Sequence, residues 1–132
     1  MFKEHFAVYC LKYAESVLPK SMAFLGASKE KVIPISFAVY LIKTKCKNIL
    51  VDVGCDTMPG FDMKKYYSPA FALRQAELSV DEITDVIITH AHHDHIEAVK
   101  HFRNAIIHAV FFMINFPFDL KLIFKDKSSF FP

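Results

Sequence analysis

The sequence predicts an α/β fold. Apolar, largely β-branched runs of strand length recur at 37–42, 49–53 and 85–89, and helix-start signatures stand between the last two, at Ser68-Pro69 and Ser79-Val80-Asp81-Glu82. A third observation is chemical: four of the seven histidines and an aspartate crowd into His90-Ala91-His92-His93-Asp94-His95, where the last apolar run stops. At 132 residues, 53% hydrophobic and 23% charged, the chain is globular in composition and long enough for one domain burying roughly two-thirds of its unfolded surface. It is slightly greasy for its size, as expected if some apolar surface is left uncovered.

Taken in order, Phe6 to Leu11 reads as an edge strand, followed by a loop around Pro19 and Gly26 with little periodicity. Phe37 to Ile42, the polar turn Lys43 to Lys47, and Ile49 to Val53 read together as a β-hairpin. Gly54 to Ser68 is a loop containing the turn dipeptide Pro59-Gly60. Ser68 as N-cap and Pro69 at the first helical position open a helix through about Glu77. Ser79 with Glu82 three residues on is a capping-box pattern, starting a single turn that feeds the strand Asp85 to Thr89. Ile96, Val99 and Phe102 then recur at three-residue spacing, as on a short amphipathic helix.

Nothing in packing requires the histidine cluster. Imidazoles that close repel if protonated and lose hydrogen bonds if buried, so a divalent cation, zinc first, is the natural organiser. In an extended segment His90 and His92 project to one side and hold one metal, while His93 points away; a turn brings Asp94 and His95 to a second position.

His-x-His-x-Asp-His after a buried strand resembles the metal signature of the metallo-β-lactamase fold hydrolases. The resemblance extends to Asn48-Ile49-Leu50-Val51-Asp52-Val53-Gly54, similar to that family's strand ending in Asp-x-Gly, and to Phe102 to Ile107, similar to its next short strand. It implies that His90 and His92 bind a first zinc, that Asp94 and His95 bind a second, and that Asp52 supports the site from behind. It further implies a hydrolase in which two zinc ions ~3.5 to 4 Å apart supply an activated hydroxide to an ester, lactone, thioester or similar bond of a small-molecule substrate, with Asp94 orienting the nucleophile and passing a proton. The loop after Asp52, the helix after it and the Ile-Thr-His approach most resemble the lactonase branch. Met58, Phe61 and Tyr66 in that loop are candidates to touch substrate, or equally to pack on the domain itself.

The sequence also departs from the family. Ile96-Glu97-Ala98 stands where a glycine is usual, and the family's further downstream histidines and bridging aspartate have no counterpart: His101 and His108 come too soon and are expected to be structural, and only Asp119 and Asp126 remain as carboxylates. The expected architecture is therefore the N-terminal half of an αββα four-layer sandwich, residues 1–109, with 110–132 an atypical Phe-rich tail arising from truncation or a change of frame. That tail is broken by Asn115 and Pro117 and falls short of the ~18 to 20 apolar residues that span a bilayer.

Two function classes follow: a zinc hydrolase completed by further polypeptide, or an inactive fragment that binds metal weakly because the downstream ligands are missing. A metal store built on the same imidazoles is a third reading. The formal net charge of +2 is scattered and no like-charge block exceeds Lys64-Lys65, so nucleic-acid binding is not indicated. Self-association through uncovered apolar surface is expected. Cys10, Cys46 and Cys55 are odd in number, without metal-type spacing, and the first residues lack a signal-peptide pattern, so free thiols in the cytoplasm are expected.

Overall fold

The structure, a computed structural model, describes residues 5–109. Five strands form one sheet in the order β1-β2-β3-β4-β5. The first two, β1 (Ala7–Pro19) and β2 (Val32–Lys43), are long and antiparallel. The expected edge strand Phe6 to Leu11 is thus only the first part of a strand of 13 residues. What hides the rest in the sequence is a bulge: the register shifts between Lys12 and Ala14, so Leu11 faces the core before the bulge, Tyr13 at it, and Ala14 and Ser16 after it. One extra residue reverses the alternation that marks a half-buried strand. The loop expected around Pro19 and Gly26 is correspondingly shorter. Pro19 closes the ladder opposite Val32, a place where its missing N–H is tolerated, and one helical turn, α1 (Lys20–Ala23), links the two strands.

The predicted hairpin is present. Thr44 Oγ1 accepts from the Lys47 N–H at 2.9 Å in the turn, and β3 (Asn48–Val51) runs back along β2 with Lys43 opposite Asn48 and Tyr40 opposite Val51. The helix expected from Ser68 to Glu77 forms as a single α-turn, α2 (Pro69–Ala72), capped by Ser68 Oγ on the Phe71 N–H at 3.1 Å. It then tightens into a 3-10 turn over Leu73–Ala76 that ends on Glu77 in the left-handed region, φ 57°. At the capping box, Glu82 Oε2 accepts from the Ser79 N–H at 2.9 Å, and the chain enters β4 (Asp85–Ile88), parallel to β3 with Leu50 opposite Val86.

After β4 comes α3 (His93–Ile96), continued as a 3-10 turn through His101. β5 (Ile106–Ala109) is parallel to β4. It starts later than the expected Phe102, because N–H bonds from Phe102 to the Val99 carbonyl (3.0 Å) and from Ala105 to the Phe102 carbonyl (3.2 Å) keep that stretch in turns, with Phe102 buried.

The helical segments cover one face of the sheet. Leu11, Tyr13, Val39, Leu41, Leu50, Val86 and Ile88 from the strands meet Leu73, Val99 and Phe102 there. Each large side chain so buried contributes about 1.5–3 kcal/mol relative to exposure. Across the other face runs a register row, Cys10, Tyr40, Val51 and Ile87, in which Tyr40 is 49% and Ile87 37% exposed. This uncovered apolar row accounts for part of the greasy composition. Among the described residues no helix is long and apolar enough to cross a membrane. The Phe-rich tail, 110–132, lies outside the described residues.

Candidate metal centre

The cluster sits where β3 and β4 end side by side. Asp52 directly follows β3 and takes a left-handed backbone, φ 58°, a region where Asp is several-fold enriched among non-glycine residues. Its N–H still bonds the Ile87 carbonyl at 2.8 Å, so the turn begins while the chain is held to β4. This is why the expected strand to Val53 stops at Val51. Gly54 is also left-handed, φ 74°, and a Cβ there would lie 2.8 Å from Pro69 Cγ and 3.0 Å from the Tyr13 ring. Only glycine fits. The turn so formed docks the motif helix, since the Val53 N–H donates to the His95 carbonyl and the Ala98 N–H to the Gly54 carbonyl, each at 3.0 Å.

The buried Asp52 carboxylate is the hub. It accepts from the Thr89 N–H at 2.8 Å, from the Thr89 hydroxyl at 2.8 Å, and from His95 Nδ1 at 2.7 Å. Thr89 Oγ1 lies in turn 2.9 Å from His90 Nδ1. His90 Nε2 faces His92 Nδ1 at 3.1 Å, and the His90 and His95 rings pack with centroids 3.8 Å apart. His95 Nε2 faces Asp94 Oδ2 at 3.6 Å. The structure thus brings Asp52, His90, His92, Asp94 and His95 together. Burial first, then the His95 and His92 imidazoles, hold His90 below the usual imidazole range, which favours the neutral form a metal requires.

These atoms form two donor pairs, His90 with His92 and Asp94 with His95. With zinc–nitrogen bonds of about 2.0–2.1 Å, nitrogens 3.1 Å apart subtend an angle of about 100° at a shared ion, near tetrahedral. Chemistry and spacing therefore fit zinc pair by pair. Among the described residues no three His, Cys, Asp or Glu side chains converge as one metal-holding group, so each pair would fill at most two positions of a tetrahedral zinc shell.

The remaining polar side chains are accounted for by the frame. His93 turns from the cluster and donates from Nε2 to the Thr57 carbonyl at 2.8 Å. Glu97, where the family often has glycine, accepts the Asp56 N–H at 2.7 Å and pairs with Lys100. Asp56 Oδ2 is held by His101 at 2.7 Å and Lys100 at 2.9 Å. Burial alone would raise Asp56, but the hydrogen bonds from Lys100 and His101 outweigh it and lower it; Lys100, hydrogen-bonded first by Glu97 and then by Asp56, is pushed up to about 12. His101 is structural, as expected. Of the loop residues proposed to meet substrate, Met58 and Phe61 pack against the core and Tyr66 donates to Asp56 Oδ1 at 3.4 Å. Cys10 and Cys46 are exposed free thiols; Cys55 is buried, its thiol pushed up by that burial and lying 3.6 Å from the Tyr13 hydroxyl.

The profile of the metallo-beta-lactamase superfamily matches residues 38–112, more than half of the chain. The chain belongs to the metallo-beta-lactamase superfamily. Several solved structures share its fold. One is an N-acyl homoserine lactone hydrolase with the product N-hexanoyl-L-homoserine at its catalytic metal centre, 20% identical at a TM-score of 0.65, with 76% of this chain and 46% of that one covered. Another is AidC, a dizinc quorum-quenching lactonase, 24% identical at a TM-score of 0.58, with 80% and 43% covered. A third is a probable metal-dependent hydrolase from Staphylococcus aureus, 20% identical at a TM-score of 0.60, with 81% and 47% covered. The chain spans less than half the length of each of these proteins, and at such identities the likeness is one of fold. No curated protein matches the sequence.

Two residues of the site were missed in the sequence. Thr89 reads there as the last position of a strand, and its role emerges only when β3 and β4 end together. Asp56 gives no local signal, because its partners Glu97, Lys100 and His101 lie more than forty positions away.

Proposed function

We propose that this chain supplies part of a zinc-dependent hydrolase site, with His90 and His92 as ligands of one ion and Asp94 and His95 as ligands of a second, acting on an ester, lactone or thioester bond of a small molecule. The observation that carries the reading is that potential ligand atoms of four neighbouring side chains stand in pairs at 3.1 and 3.6 Å, His90 Nε2 with His92 Nδ1 and Asp94 Oδ2 with His95 Nε2. Zinc would supply Lewis acidity and make hydroxide available near neutral pH. The chain's own residues would do the rest. Asp52 orients His95 through Nδ1, and Asp94, partly exposed at the cluster, would orient the attacking water and take its proton on the carboxylate oxygen that does not hold the ion.

The limit of two donors per pair among the described residues favours a second reading, weak metal binding without turnover. Metal analysis of the purified 132-residue protein beside His92→Ala, with lactone and thioester hydrolysis measured on the same samples, separates these. Bound zinc in the wild type, less in the variant, and hydrolysis that follows zinc content support the hydrolase. Zinc binding with no hydrolysis supports the second reading, and equal zinc in both proteins overturns the ligand assignment.

A further inference from the structure

The atom that decides how His90 presents itself is the Thr89 hydroxyl. A carboxylate only accepts hydrogen bonds, and Thr89 Oγ1 lies within 2.8 and 2.9 Å of the two Asp52 oxygens, so the single hydroxyl proton must point at Asp52. The hydroxyl oxygen then has only lone pairs left for His90 Nδ1 at 2.9 Å. His90 must therefore carry its proton on Nδ1 and leave Nε2 bare. Asp52 imposes the same form on His95 directly, since Nδ1 at 2.7 Å can only donate to it. One buried carboxylate thus sets two imidazoles, one by contact and one through a hydroxyl relay.

We infer that Thr89 is a positioning residue of the metal centre, relaying the hydrogen-bonding demand of Asp52 to His90 so that His90 Nε2 is held unprotonated and aimed at His92 Nδ1. This rests on the zinc reading above for its purpose, but the tautomer itself follows from the chain alone. In the metal-free protein His92 satisfies the bare Nε2 by donating from its own Nδ1 across the 3.1 Å contact, and for Nδ1 to serve as a ligand that proton would move to His92 Nε2 by way of solvent. The relay is cheap to build. Thr89 follows β4 directly, and its N–H and its side chain bond the same carboxylate, so backbone and hydroxyl are fixed together.

The test is nitrogen-15 NMR of the imidazoles in the full, metal-free chain at a pH where they are neutral, for wild type, Thr89→Val and Thr89→Ser. The expected result is an Nδ1-protonated His90 and His95 in the wild type. Thr89→Val, similar in shape but without the hydroxyl, should lose that preference at His90 alone, keep it at His95, and weaken zinc binding about 10- to 100-fold. Thr89→Ser should restore both. A wild-type His90 protonated on Nε2, or a Thr89→Val spectrum in which His90 is unchanged, overturns the relay. The expected tautomers in a wild type that takes up no zinc support the relay and overturn the zinc reading instead.

Discussion

The two ends of β4 carry the same kinds of side chain and use them in opposite ways. At its start, the buried Asp85 accepts from Lys47 Nζ at 3.0 Å, from His108 Nε2 at 2.9 Å and from the Thr84 hydroxyl at 2.8 Å. Every donor there meets an acceptor, and the carboxyl is held down to about 2, by His108 first and then by Thr84 and Lys47. Past its other end, Asp52, Thr89 and His95 are similarly matched, but beyond them His90 Nε2 pairs with His92 Nδ1 and His95 Nε2 with Asp94 Oδ2, each atom a possible metal ligand. Aspartate beside histidine is thus uninformative in itself. What separates a structural ion pair from a candidate metal centre is whether the imidazole nitrogens end on the frame alone or also on one another and on a second carboxylate.

The largest expected effect breaks the site end at its hub. Asp52→Ala leaves the Thr89 N–H, the Thr89 hydroxyl and His95 Nδ1 without their acceptor, at about 1–3 kcal/mol for each buried donor left unpaired. A loss of about 3 kcal/mol in urea unfolding is expected, with zinc affinity down at least tenfold; unchanged values for both would remove Asp52 from its role. Next comes Gly54→Ala, which forces a left-handed φ of 74° and a 2.8 Å contact with Pro69 on a side chain that wants neither. About 2 kcal/mol should be lost, read in the same unfolding curves.

The opposite end is sharpened by acid. Because Asp85 is depressed from 3.8 to about 2, its contribution is present in full above the unfolded value and is lost as the pH falls from 3.8 through 2. Asp85→Asn should therefore flatten the fall of stability with pH in that window and leave zinc affinity unchanged, and parallel acid limbs for the two proteins would contradict the assignment. The smallest effect is expected at Glu97→Ala. It removes one acceptor for the Asp56 N–H and an exposed pair with Lys100, about 1 kcal/mol, again without touching zinc affinity.

Legibility in the sequence follows the range of the interactions. The hairpin, the Ser68 cap, the Ser79-Glu82 box and the pairing of His90 with His92 depend on neighbours a few positions apart, and all were readable. The length of β1 was not, because the bulge at Tyr13 reverses the face that points inward. Nor was the collapse of the expected helix 69–77 into one α-turn and a 3-10 turn, which depends on tertiary packing of Leu73 and Ala76. The Thr89 relay and the Asp56 cluster join residues some forty positions apart, and only the parallel pairing of β3 with β4 brings such partners within reach.

The central claim, that the histidines past β4 are arranged for a cation, is most directly tested by thermal unfolding of the chain across a zinc titration, beside a His90→Ala/His95→Ala double variant. Ligand binding to the folded state raises the melting temperature with ligand concentration. The account predicts a rise with zinc in the wild type and none in the double variant. The same response in both proteins, or none in either, would contradict it.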